Sequence, residues 1–286
     1  MTNQPWASAS DVEEALKSTG YLASRSIAQT VFLASRLEKP ILAEGPAGVG
    51  KTALALALAE MTGRRLIRLQ CYEGLDEARA LYEWDYHKQL LRLQFDEGRK
   101  WADVEGDIFG EEFLMARPLL ESIRSPEPVV LLVDEVDRIE METEALLLEV
   151  LDSFQVTIPE LGTMTAQSTP LVVLTSNNTR ELSEALKRRC LYLYIDYPTP
   201  QREQEILAAR VPGLSQQFGE NIAAVVASIR DLPLRKAPSV SETIDWARSL
   251  IALELDEVSG DEAGSTMNVL LKYREDLDTV QRELKL

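Results

Sequence analysis

Gly45-Pro46-Ala47-Gly48-Val49-Gly50-Lys51-Thr52 is the stretch of this chain richest in chemistry. Glycines at this spacing let successive backbone N–H groups converge on an anion. A helix starting at the end of the run adds unpaired donors and a partial positive charge. Lys51 is placed to reach the β- and γ-phosphates of a nucleoside triphosphate, and the Thr52 hydroxyl to ligate magnesium.

A second group lies in Val129-Val130-Leu131-Leu132-Val133-Asp134-Glu135, an apolar strand that ends in two acids. Asp134, at the strand's C-terminal end, is placed to hold the magnesium shell. Glu135 points to the opposite face, as a general base for an attacking water. A protein that passes phosphate to a substrate has no need of a base there, so the second acid favours hydrolysis. Leu171-Val172-Val173-Leu174-Thr175-Ser176-Asn177-Asn178 repeats the arrangement with amides. Ligands of a parallel sheet lie outside the C-terminal strand ends, so Asn177 is placed to orient the water or read the γ-phosphate. Leu186-Lys187-Arg188-Arg189-Cys190 then puts cations just ahead of one more apolar run. An arginine there sits on the rim of its domain, too far round to touch its own phosphates. Arg189, ahead of Arg188, is the candidate arginine finger for a neighbouring subunit, an effect worth about 10³–10⁵ in rate.

Positioning these groups takes a sheet. Five apolar runs read as its strands: Ile41–Glu44, Leu66–Cys71, Val129–Asp134, Leu171–Thr175 and Leu191–Ile195. Helical patterns separate them over Thr52–Met61, about Phe113–Ile123, Thr143–Leu151 and Glu181–Leu186, and two more precede the first strand over Asp11–Leu16 and Ser26–Leu37. Strands alternating with helices give an α/β, doubly wound parallel sheet. Two prolines in Tyr197-Pro198-Thr199-Pro200 interrupt the pattern. Beyond them only amphipathic helices are predicted, over Gln201–Arg210, Ile222–Ile229, Val240–Leu255 and Met267–Leu284, with a solvated loop over Asp256–Ser265. Ser239 and Glu242 have the spacing of a capping box. The expected organisation is a nucleotide-binding domain over 1–198, carrying an insertion at about 72–112, and a small all-helical domain over 199–286. The insertion is expected to hold its own element, a hairpin or a helix: Trp84, Tyr86 and Lys88 fit strand alternation, whereas Leu81, Trp84, Lys88 and Leu91 fit a helix.

The 286 residues are 45% hydrophobic with a net charge of −17. Both sides of residue 200 are acidic, and no basic stripe exceeds Lys187-Arg188-Arg189. Nucleic-acid partners are therefore disfavoured relative to proteins. No apolar run approaches the roughly 20 residues of a membrane span, and the first residues lack a signal-peptide pattern, so a cytoplasmic location is expected. Cys71 and Cys190, each inside a strand-like run, read as buried reduced thiols. His87, the only histidine, cannot build a metal site alone.

Taken together, the phosphate loop, the Val-Asp-Glu strand, the Thr-Ser-Asn-Asn segment, the Arg-Arg-Cys corner and the helical C-terminal part resemble an AAA+ ATPase. Within that superfamily the chain is similar to the MoxR group. Pro118-Leu119-Leu120-Glu121 and the corner at Leu186–Pro198 make it most like the CoxD-type accessory ATPases of aerobic carbon monoxide dehydrogenase. The likeness covers roughly residues 20–260. It implies a P-loop AAA+ fold, with a five-stranded parallel sheet flanked by helices and a helical lid. ATP and Mg2+ would be held between subunits of a homo-oligomeric, hexameric ring. Lys51, Thr52, Asp134, Glu135 and Asn177 would act in cis and Arg189 in trans. Phe154–Ala166, with Pro159 and Gly162 at its tip, matches the place of the pore hairpin, and 72–112 that of the second-helix insert. The implied activity is protein remodelling with a von Willebrand A-domain partner, acting on a metalloenzyme client of the molybdenum–copper CO dehydrogenase type. One departure is that Pro238-Ser239-Val240-Ser241-Glu242 has no arginine where such lids carry a sensor, leaving Arg235, Lys236 or Arg248 as substitutes. Competing readings are a nucleic-acid motor of the same superfamily and, further off, a P-loop small-molecule kinase.

Overall fold

A strand buried along its whole length must be covered on both faces, and among the described residues three strands meet that condition. The structure, a computed structural model, describes residues 6–95, 108–258 and 264–284. Its strands in chain order are β1 (Ile41–Glu44), β2 (Arg65–Gln70), β3 (Tyr82–Trp84), β4 (Leu114–Ala116) and β5 (Val129–Asp134). They continue as β6 (Gln155–Ile158), β7 (Gly162–Thr165), β8 (Leu171–Ser176) and β9 (Leu191–Tyr194). The main sheet is five-stranded and parallel, in the order β2-β5-β8-β1-β9. The three central strands β5, β8 and β1 are the fully buried ones. Edge strand β2 alternates instead, with Ile67 and Leu69 inward and Arg68 and Gln70 exposed. The P-loop AAA+ sheet expected from the sequence is therefore present, each strand within a residue or so of its expected limits.

Compact packing divides the chain into two units. The first takes the described residues within 1–19, 23–44 and 52–193; the second takes those within 20–22, 45–51 and 194–286. The core of the first gathers Leu131, Val133, Leu174, Ile67 and Leu69 from the sheet with Leu119, Leu120 and Ile123 from the helix Pro118–Arg124. The second surrounds Trp246 with Leu207, Ile222, Val226 and Leu250 from the helices Pro200–Arg210, Gln216–Arg230 and Val240–Ala252.

Several boundaries depart from expectation for identifiable reasons. The helix expected over Phe113–Ile123 begins only at Pro118. Proline starts a helix well but forces its predecessor out of helical space, and Arg117 is extended at φ −96°, ψ 173°. Leu114–Ala116 pairs as an antiparallel strand with Tyr82–Trp84 instead. The insertion holds both kinds of element, strand Tyr82–Trp84 and then helix Tyr86–Phe95, but neither expected pattern as drawn: Tyr86 and Lys88 are helical, Leu81 and Trp84 lie ahead of the helix, and the strand finds its partner beyond residue 112. Residues 96–107 of the insertion lie outside the described residues. The helix expected over Glu181–Leu186 starts at Glu184, because the Ser183 side chain accepts from Leu186 N–H and caps it. Met267–Leu284 is two helices, Met267–Leu270 and Arg274–Leu284, since Leu271 is buried in an extended conformation between them. Of the expected loop Asp256–Ser265, residues 259–263 lie outside the described residues. The antiparallel pair β6–β7 forms the expected hairpin, with Ile158 opposite Gly162.

Candidate functional site

Between β1 and the helix Lys51–Thr62 the chain must turn within six residues, and two of its glycines show why no other residue would serve. Gly45 has φ +150°, and a Cβ there would sit 2.0 Å from the Ile195 carbonyl oxygen. Gly48 has φ +74°, and its Cβ would lie 2.4 Å from the Cβ of Ser239. Pro46, Ala47, Val49 and Gly50 complete the loop at or near the surface. Lys51 is 5% exposed, and its Nζ donates to the carbonyls of Gly45 at 2.7 Å and Pro46 at 2.6 Å.

Thr52, the next residue, donates its hydroxyl to Asp134 Oδ1 at 2.9 Å. The same carboxylate oxygen accepts from Thr175 Oγ1 at 2.6 Å, and Oδ2 accepts from the Arg68 guanidinium at 2.5 Å. Asp134 is thus buried and fully engaged. Glu135 follows in the left-handed region at φ 59°, ψ 48°, uncommon for a residue with a side chain. Its N–H donates to Thr175 Oγ1 at 2.9 Å, so one hydroxyl ties together the backbone and side chain of successive acids. Its carboxylate receives Gln70 Nε2 at 3.3 Å and lies 3.2 Å from Arg138. A hydroxyl beside a carboxylate is a hard oxygen donor set that suits Mg2+, which commonly takes one or two protein oxygens and keeps waters and substrate phosphates for the rest. Thr52 and Asp134 fit that ion.

Past β8, Asn177 and Thr179 form a turn held from below. The buried carboxylate of Asp137 accepts Asn177 N–H at 3.2 Å, Thr179 N–H at 2.9 Å and the Thr179 hydroxyl at 2.5 Å. Burial by itself would raise the pKa of Asp137. The hydrogen bonds from Thr179 and Asn177 outweigh it and hold the carboxyl below its ordinary value. A second buried carboxylate, Glu144, accepts from Arg180 and from Ser183 N–H at 3.0 Å. The whole segment from the candidate sensor to the helix Glu184–Arg189 therefore hangs on two acids. At the end of that helix Arg189 contacts Asp152 at 3.0 Å and the Ala185 carbonyl at 3.1 Å, while Arg188 is exposed.

In the helical unit, Ser239 and Glu242 make the expected capping box at the start of Val240–Ala252. Lys236 pairs with Glu242 at 3.0 Å, Arg235 stacks over Tyr273 at 4.2 Å, and Arg248 donates to the Arg210 carbonyl. All three candidate substitutes for the sensor arginine thus have partners within this unit. Cys71 and Cys190 are buried free thiols, pushed up to about 12 by burial.

Arg68, Gln70, Asp137 and Glu144 are functional residues that the sequence motifs do not mark, and Thr175 stands in its motif without an assigned role. Two of them had a local signal: in Arg65–Gln70 the polar positions 68 and 70 share one face of the strand. The others are ordinary polar residues until the fold brings them to their partners.

A profile of the ATPase family associated with various cellular activities (AAA) matches residues 41–196, just over half of the chain. An uncharacterized protein of Staphylococcus saprophyticus is 27% identical over 226 residues, covering 76% of this chain and 78% of its own. A second, from Staphylococcus aureus, is 28% identical over 167 residues; the match spans 56% of this chain and 57% of that relative's length. Among solved structures, the Thermotoga maritima RuvB Holliday junction branch migration motor has a TM-score of 0.52 at 19% identity, covering 99% of this chain and 78% of that one. That is a likeness of fold. Among the described residues no helix is long and apolar enough to cross a membrane.

Proposed function

The chain belongs to the AAA family of ATPases, and on that premise we propose that it binds ATP with magnesium and hydrolyses it to ADP and phosphate to drive the remodelling of a protein client. The observation that carries this reading is the hydrogen-bonded series Thr52–Asp134–Thr175–Glu135, which ties the residue after Lys51 to both acids at the end of β5. The loop Gly45–Thr52 binds the phosphates, with Lys51 on the β- and γ-groups. Thr52 and Asp134 would hold the magnesium ion, which would supply charge neutralisation at the phosphates. Glu135 accepts the proton of the water that attacks the γ-phosphorus as the bond to the ADP oxygen breaks. Asn177 aligns that water, and Arg189, with Arg188 as the alternative, stabilises the transition state in the neighbouring subunit.

In this reading residues 1–198 form the nucleotide domain and 199–286 the lid of a subunit in a hexameric ring. The hairpin at Phe154–Ala166 and the insertion at 72–112 face the client. The MoxR and CoxD-type resemblance supports a von Willebrand A-domain partner and a metalloenzyme client of the molybdenum–copper CO dehydrogenase type. The charge of −17 supports a protein client over a nucleic acid.

Two variants test the reading. Lys51→Ala is expected to lose nucleotide binding. Glu135→Gln is expected to keep binding but lose about 10²–10⁴ in turnover. The second variant, holding ATP, also serves as bait for the client. Turnover stimulated by DNA, with a steep dependence on salt, would replace the protein-remodelling reading by a nucleic-acid motor.

A further inference from the structure

Arg68 sits on edge strand β2, whose parallel register with β5 sets Arg68 beside Leu132 and Gln70 beside Asp134. All four side chains lie on one face of the sheet. The guanidinium leans one step along that face, and its Nη2 reaches Asp134 Oδ2 at 2.5 Å and Gln70 Oε1 at 2.6 Å. The partners differ sharply in environment: the Asp134 side chain is 4% exposed and that of Arg68 is 52% exposed. Since Oδ1 already accepts from two hydroxyls, Oδ2 is the remaining face of this carboxylate, and a permanent cation stands on it.

We infer that Arg68 is a positioning residue which competes with the divalent cation for Asp134, so that it sets the free magnesium concentration at which nucleotide binds. The inference rests on the reading that Thr52 and Asp134 hold magnesium. Two positive charges cannot share one buried carboxylate oxygen without strong repulsion. Ion binding therefore requires the guanidinium to withdraw, and its exposed position leaves water on the side to which it can swing. Loss of Arg68 does not cast Asp134 loose, because Thr52 and Thr175 continue to hold Oδ1. The carboxylate keeps its direction and loses a competitor.

The test is a titration of free Mg2+ against binding of a fluorescent ATP analogue, with the full chain carrying Arg68, Arg68→Gln or Arg68→Lys. The half-saturating Mg2+ concentration is expected to fall about fivefold in Arg68→Gln, equivalent to about 1 kcal/mol, the scale of a half-exposed ion pair. Binding of the analogue in excess chelator is expected to stay within twofold of the parent. Arg68→Lys, which keeps the charge, is expected to restore the parental magnesium requirement. An unchanged or higher magnesium requirement in Arg68→Gln overturns the inference. Should Arg68→Gln fail to fold, Arg68→Met carries the same comparison, with the same two outcomes. If the parent protein shows no magnesium-dependent nucleotide binding, the ATPase reading itself fails, which is a different result from an unaltered Arg68→Gln titration.

Discussion

Asp137 stands three positions past Asp134 and grips, with one carboxylate, the N–H groups of Asn177 and Thr179 and the Thr179 hydroxyl. Its chemistry is to hold the proposed sensor still. Asp137→Asn keeps the shape but exchanges an acceptor for a donor that faces N–H groups. Turnover is expected to drop about tenfold with little change in nucleotide affinity, since misplacing a positioned group costs rate before binding. The variant also gives a pH signature. With its folded-state pKa held below the ordinary aspartate value of about 3.9, Asp137 stabilises the fold fully above that pH. The contribution disappears as pH falls through the lower folded-state value. Urea unfolding from pH 3 to 7 should therefore show the stability gap between parent and Asp137→Asn closing on the acid side. A gap independent of pH would contradict this account.

At the scale of elements, the helical unit is built around a buried ion pair. Arg230, the last residue of Gln216–Arg230, forms a two-pronged contact with Glu203 on Pro200–Arg210, where the side chains are 10% and 0% exposed. Arg230 also donates to the Pro238 carbonyl and stacks over Tyr197. Removing one partner strands a charge in the core. Glu203→Ala is expected to lower unfolding stability by about 3–5 kcal/mol, whereas an apolar Glu203→Leu, Arg230→Met double variant should lose much less. Equal losses in chemical denaturation would show that the charges themselves were not the issue. The helices that carry this pair were legible in the sequence, because an apolar stripe at helical spacing reports the face that must be covered. The helix expected from Phe113 is absent there for a complementary reason: Leu114–Ala116 is drawn into a strand by Tyr82–Trp84, thirty residues away, and local pattern contains no record of that partner.

For the whole molecule, the question is where the second half of the proposed catalytic site comes from. Arg189 ends a helix whose cap, Ser183, hangs on Glu144, six residues past Asn177, which hangs on Asp137. A finger acting across subunits makes its loss correctable by mixing. Arg189→Ala and Lys51→Ala proteins, each expected to be inactive alone, should regain part of their turnover when combined, because some interfaces then join an intact loop to an intact arginine. Full activity of Arg189→Ala alone would remove that role, and recovery only with intact Arg188 would transfer it to Arg188. The phosphate loop and the buried strands were determined by the sequence itself. The conformation of a glycine turn is set within a few residues, and a run such as Val129–Val133 has no stable place except inside a sheet covered on both faces. Only the tertiary structure decided that Arg68 rests on Asp134, that Asp137 holds Asn177 and that Glu144 holds Ser183. Those partners lie 66, 40 and 39 positions apart in the chain. Polar side chains carry no periodic mark of their partners, and strand order and register bring them into reach.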